Sequence, residues 1–129
     1  MNLEDDPEEF DPETTLPGAV LMIPNRNWGF AGVTSDDHPG ACTHYRTHRH
    51  DAVLVKGTDA DHVRYPRGYF FTDATVDNGL QKRTAFELVP RVFRLHRVKL
   101  YFPERYLGQL DDATLQSLRA ELARLHPEE

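Results

Sequence analysis

Short apolar runs punctuated by Gly, Pro and Asn dominate the first two thirds of the chain, and a helical repeat closes it. Ala19–Ile23 is an aliphatic run stopped by Pro24-Asn25, and because Pro cannot donate to a ladder the run reads as a strand ending in a turn. Ala52–Lys56 (AVLVK), bounded by Gly57-Thr58-Asp59, and Gly68–Thr72 (GYFFT) read as two more strands, and Asp77-Asn78-Gly79 is a strong turn signal. Residues 25–40 carry Gly, Asn, Ser and Asp and are expected to form a long loop or a loosely paired hairpin. From Arg91 to Phe102 the alternation slips: Phe93 and Leu95 keep one phase, Val98, Leu100 and Phe102 the other. One strand cannot satisfy both, so a bulge or short break near His96-Arg97 is expected. At the end Leu115, Leu118, Leu122 and Leu125 recur at three- and four-residue steps behind Asp111, which can cap a helix, with Pro127 beyond it. The pattern predicts a mainly β fold with a C-terminal helix at 111–125, a small curled sheet or half-open barrel on which that helix docks.

Length and composition limit the possibilities. A chain of 129 residues with 39% hydrophobic and 10% aromatic content builds one modest core. The longest aliphatic run is far too short to cross a bilayer, and the start MNLEDDPEEF has no basic region of the kind that precedes an export signal, so a cytoplasmic, non-membrane protein is expected. The single cysteine, Cys42, cannot form a disulfide or a CxxC pair within one chain and reads as a small buried thiol.

The net charge of −6 speaks against a nucleic-acid partner until its distribution is seen. Residues 1–17 hold seven acids and no base, residues 18–110 hold 13 bases against nine acids, and residues 111–129 hold five acids and two bases. An acidic, flexible arm over 1–17 is therefore expected, followed by a single domain over 18–129 whose body is basic enough for phosphate contacts.

The stretch NGLQKRTAFELVPRVFRLHRVKLYFPERYLGQLDDATLQSLRAELARL, Asn78 to Leu125, resembles the C-terminal half of the PemK/MazF toxin family. Pro17-Gly18 followed by AVLMI is similar to the family's opening Gly-then-strand, His38-Pro39 falls where the family carries Arg before Pro, and Gly57-Thr58 ends its strand as the family's Thr-Ser does. The resemblance implies an SH3-like barrel, a homodimer, and a metal-independent endoribonuclease acting on single-stranded RNA, with no cofactor and with an acidic antitoxin as a possible partner. Carried over by position, it makes His38 and Thr58 the catalytic candidates and puts Lys82, Arg83 and Thr84 in the RNA groove. His38 can exchange a proton near neutral pH, which Arg cannot, but it removes a fixed cation. Arg46, Arg49, Arg64 and Arg67 are candidate phosphate contacts, with Tyr45, Tyr65 and Tyr69 as stacking platforms. The alternative is a non-catalytic SH3-like barrel that binds nucleic acid or a protein.

Four of the seven histidines lie between positions 38 and 50. If the segment is extended, Cys42, His44, His48 and His50 share one face, and His48 and His50 stand about 7 Å apart, a spacing that can chelate zinc or nickel. If it is helical, His44 and His48 stack instead. Further ligands are missing, and a solvated or RNA-facing basic ribbon is the expectation.

Overall fold

A computed structural model describes residues 10–28 and 37–127. Among the described residues seven strands pair antiparallel: β1 Ala19–Pro24, β2 Asp37–Arg46, β3 Asp51–Asp59, β4 Tyr69–Thr72, β5 Thr84–Glu87, β6 Arg91–Arg94 and β7 Tyr106–Gln109. Their order is β4-β5-β3-β2-β1-β7, and β6 also pairs with β3. The first half of β3 holds β6 (Asp51↔Arg94 to Leu54↔Arg91) and the second half holds β5 (Gly57↔Phe86 to Asp59↔Thr84). Among the described residues the end strands β4 and β7 do not pair with each other, so the sheet is not closed there. The mainly β fold with a C-terminal helix is as the sequence pattern predicts.

Both faces of the sheet are covered, which explains why β1 is a continuous aliphatic run rather than an alternating one. Ala19, Leu21 and Ile23 enter a cluster with Trp28, Cys42, Leu54, Phe93 and Val98, whereas Val20 points the other way to Val55, Phe86 and Leu118. The second cluster is closed by α3, Asp112–Leu125, whose Leu115, Leu118 and Leu122 are buried. Asp111 caps it, Oδ1 accepting from the Thr114 N–H at 2.7 Å.

Of the expected bulge or short break near His96-Arg97, the phase slip takes the break, and takes it as a helix. The chain leaves β6 at Arg94 and forms a short helix, α2, over Leu95–Lys99. Leu95, Val98 and Phe102 recur at three and four residues and face the first core, while Leu100, expected on a strand face with Val98, is 76% exposed. The 25–40 segment is also more ordered than expected. A 3₁₀ turn spans Asn25–Trp28 and β2 begins at Asp37, so His38 is a strand residue; the rest of the expected loop, 29–36, lies outside the described residues.

Chain before residue 18 also packs on the first core. A turn of helix, α1, covers Pro12–Thr15, Leu16 is fully buried, and Phe10 packs edge-on against Phe102 at 5.0 Å between ring centroids. Residues 1–9 of the expected arm lie outside the described residues. Beside Trp28, Gly40 is required by space: a Cβ there would stand 2.6 Å from Cζ2 of the indole, which itself meets Phe93 edge to face at 5.3 Å.

Candidate active site

Ile23 is the register partner of His38 across β1 and β2. The β2–β3 register runs Gly40↔Lys56, Ala41↔Val55, Cys42↔Leu54, and carried two residues outward it directs His38 towards Thr58. Thr58 pairs in turn with Ala85 on β5, and Asp59 with Thr84. Four sequence-predicted residues, His38, Thr58, Lys82 and Thr84, thus line one cleft of about 390 Å³, joined by Asp59 and His62.

The loop leading into β5 is fixed by Asn78. Its Oδ1 accepts from the N–H groups of Thr75 and Leu80, both at 3.0 Å, and its Nδ2 donates to the Asp73 carbonyl at 2.9 Å. Gly79 takes φ +71° against the Leu107 carbonyl, where a Cβ would be only 2.1 Å from the oxygen. Lys82 is thereby delivered to the cleft, its Nζ 2.7 Å from Asp59 Oδ2. That hydrogen bond holds the Asp59 carboxyl below its ordinary range and pushes the Lys82 ammonium up. Asp59 Oδ1 accepts from the Asp61 N–H at 2.9 Å, starting the 3₁₀ turn Ala60–His62 that swings His62 to within 3.9 Å of the same carboxylate. At the other wall Asp37 meets Arg105 at 2.8 Å. Thr84 is buried, its hydroxyl donating to the Lys82 carbonyl at 3.0 Å, so it shapes the wall.

The remaining candidates lie elsewhere. Arg83 turns from the cleft, over the Phe71 ring at 4.8 Å and 3.4 Å from Asp73. Arg46 closes the end of the β2–β3 hairpin in a two-pronged pair with Asp51, at 2.7 and 3.0 Å. Arg49 stands in the turn after β2, and Arg64 and Arg67 lie exposed in the connection before β4. Tyr65 is exposed, Tyr45 packs against the first core and Tyr69 against Phe71.

The histidine segment does not form a chelating strand. β2 carries an irregularity between Cys42 and His44, then ends at Arg46, and His48 and His50 fall in the turn, His50 with φ +54°. Among the described residues no group of three or more His, Cys, Asp or Glu side chains is arranged to hold a metal ion. Cys42 is fully buried, and desolvation pushes its thiol up to about 12.

Sequence reasoning missed Asp59 and His62 as members of the site. The signal was present in Asp59-Ala60-Asp61-His62, where an Asp that can cap a turn stands three residues before a His. No family model matches the chain, and no curated protein matches it. Among the described residues no helix is long and apolar enough to cross a membrane.

Proposed function

We propose that the protein is a metal-independent endoribonuclease of single-stranded RNA, a diverged PemK/MazF-like toxin with an SH3-like barrel, acting in the cytoplasm as a homodimer under the control of an acidic antitoxin. The observation that supports this reading is the convergence of His38, His62, Thr58 and Lys82 on one cleft. Two imidazoles supply what cleavage without a metal needs, one group to take a proton and another to give one. The neutral imidazole of His38 takes the 2′-hydroxyl proton while O2′ bonds to the adjacent phosphorus. The P–O5′ bond breaks, protonated His62 delivers its proton to O5′, and the products are a 2′,3′-cyclic phosphate and a 5′-hydroxyl. Lys82 and the Thr58 hydroxyl donate to the phosphoryl oxygens as charge builds there.

A second reading rests on the charges around the cleft. Asp59 and Asp37 already hold Lys82 and Arg105, so little uncompensated positive charge faces a phosphate, as suits a non-catalytic barrel that binds a protein or nucleic acid. Incubation of purified protein with single-stranded RNA in EDTA separates the two. Cyclic-phosphate ends are expected, and intact RNA at high enzyme concentration would leave the binding module.

A further inference from the structure

The chain between Leu88 and Pro103 contains four Arg and Lys residues, one His and no acid. Part of this run forms a cavity of about 480 Å³ with the 3₁₀ turn that follows β1, lined by Arg26, Trp28, Arg91, Arg94, His96 and Arg97. Among the described residues no carboxylate lines it, in contrast to the cleft. Arg91 is committed, with Nη1 donating to the Trp28 carbonyl at 3.2 Å and Nη2 3.7 Å from Glu87. Arg26, Arg94 and Arg97 are exposed and enter no ion pair among the described residues. Arg94 faces Asp51 in register and its charge is felt by that carboxylate, but the direct hydrogen bonds to both oxygens come from Arg46.

The cavity is also built on a rigid floor. Trp28 lines it and is 2% exposed, its indole wedged against Gly40 and edge to face with Phe93. Three exposed guanidiniums around that floor define a site for an oxyanion that accepts several hydrogen bonds at once, as a phosphate does.

The two sites are close. Ile23 opposes His38 and Arg26 follows three residues later, which places the Cα of Arg26 within roughly 16 Å of that of His38. We propose that the cavity between the 25–28 turn, β6 and α2 is a phosphate-binding site for the backbone of a single-stranded RNA, holding a nucleotide next to those in the His38 cleft. The proposal rests on the RNA reading above but not on cleavage. It divides labour between the sites: the carboxylate-rich cleft holds the scissile linkage weakly, and the acid-free cavity supplies the salt-sensitive affinity.

Trp28 is the chain's only tryptophan, so its emission reports on this cavity. Titration with a 2′-deoxy oligonucleotide, which cannot be cleaved, is expected to change that emission. Arg94→Gln/Arg97→Gln should weaken binding about tenfold near physiological salt and lower the slope of log affinity against log salt by about 1.4, the amount for two phosphate contacts on a single strand. Arg119→Gln/Arg124→Gln, an equal loss of charge on α3, should change neither emission nor slope. Equal losses in the two double variants, or an unchanged Arg94/Arg97 variant, would overturn the site. So would displacement of the oligonucleotide by polyglutamate at matched charge, which would mark an acidic-protein surface, or an emission change with inorganic phosphate at the oligonucleotide's own concentration, which would mark a small-anion site. Binding without cleavage of RNA by wild type sinks only the catalytic reading, whereas cleavage with an unaffected Arg94/Arg97 variant sinks only this one.

Discussion

The Lys82 ammonium lies 2.7 Å from the Asp59 carboxylate, and this pair sets how much positive charge the cleft presents. Asp59→Asn keeps an oxygen to accept from the Asp61 N–H, so the 3₁₀ turn survives while Lys82 is released. The variant should bind a 2′-deoxy oligonucleotide several-fold more tightly than wild type at low salt, with the gain shrinking as salt rises. Filter binding at two ionic strengths checks it; no gain at low salt would mean that Lys82 does not meet the strand.

Within the proposed cleavage, His38→Ala, His62→Ala and Thr58→Ala should each lower the rate by about 10²-fold or more, the scale of losing one acid-base group or one transition-state donor. Because one imidazole must be neutral and the other charged, the wild-type rate should be bell-shaped in pH, and each histidine variant should lose one limb. Single-turnover rates on an end-labelled RNA across pH measure this. Two histidine variants with unaltered profiles would remove both groups from the mechanism.

Stability should fall as pH is lowered, in two windows. Burial first, then Arg119 and Arg46, push the His44 imidazole below its ordinary value of 6.5. The unfolded chain therefore takes a proton there that the folded chain refuses, and stability drops from about pH 6.5 downwards. Arg46 holds the Asp51 carboxyl below its ordinary value of 3.8, so the stability it contributes is full above that value and is lost as pH falls through the folded one. Urea denaturation from pH 8 to pH 3 should show both declines. His44→Gln should remove the upper one, and Asp51→Asn should lower stability at neutral pH and flatten the lower one.

The acidic N-terminus should divide at Phe10. Removing residues 1–9 deletes five carboxylates tethered to a basic body and should tighten oligonucleotide binding, most at low salt. Removing residues 1–16 also deletes Phe10 and the fully buried Leu16, and should destabilise the fold by about 3 kcal/mol or more. Thermal melts and binding isotherms of the two truncations report these effects separately. Equal affinities of the full chain and the shorter truncation at both salts would leave the acids no part in binding.

Assembly gives a further check. The sheet ends in β4 and β7, each with one edge left without a partner strand among the described residues, and Tyr65, Val76 and Leu100 are each more than three quarters exposed. Sedimentation should give a species of twice the 14.8 kDa chain mass, and a strict monomer at high micromolar concentration would remove the homodimer.

The elements legible in the sequence were those with clean boundaries: β1 before Pro24, β3 near its Gly-Thr, β4, and α3 behind its Asp111 cap. α2 was hidden because Val98, Leu100 and Phe102 imitate a strand phase, while the true repeat of Leu95, Val98 and Phe102 is barely longer than one turn. β2 was hidden because buried positions on it are filled by Gly40, Thr43 and Cys42; Thr43 is satisfied there by donating to the Val53 carbonyl at 3.2 Å. Of the cleft, His38, Thr58 and Lys82 were found by position in a familiar pattern. The pairing of Asp59 with Lys82 joins residues too distant in sequence for any local period to reveal.

Gly40 and the indole of Trp28 share one small volume, and this makes residue 40 the pivot of a lever with an arm in each site. On one side the chain runs through Pro39 to His38; on the other the carbonyl of Trp28 accepts from Arg91 in the basic cavity. A single added methyl at that point would push both arms at once, whereas a change at Lys82 or Arg97 disturbs only one. Changing the two places separately therefore depends on residue 40 staying without a side chain.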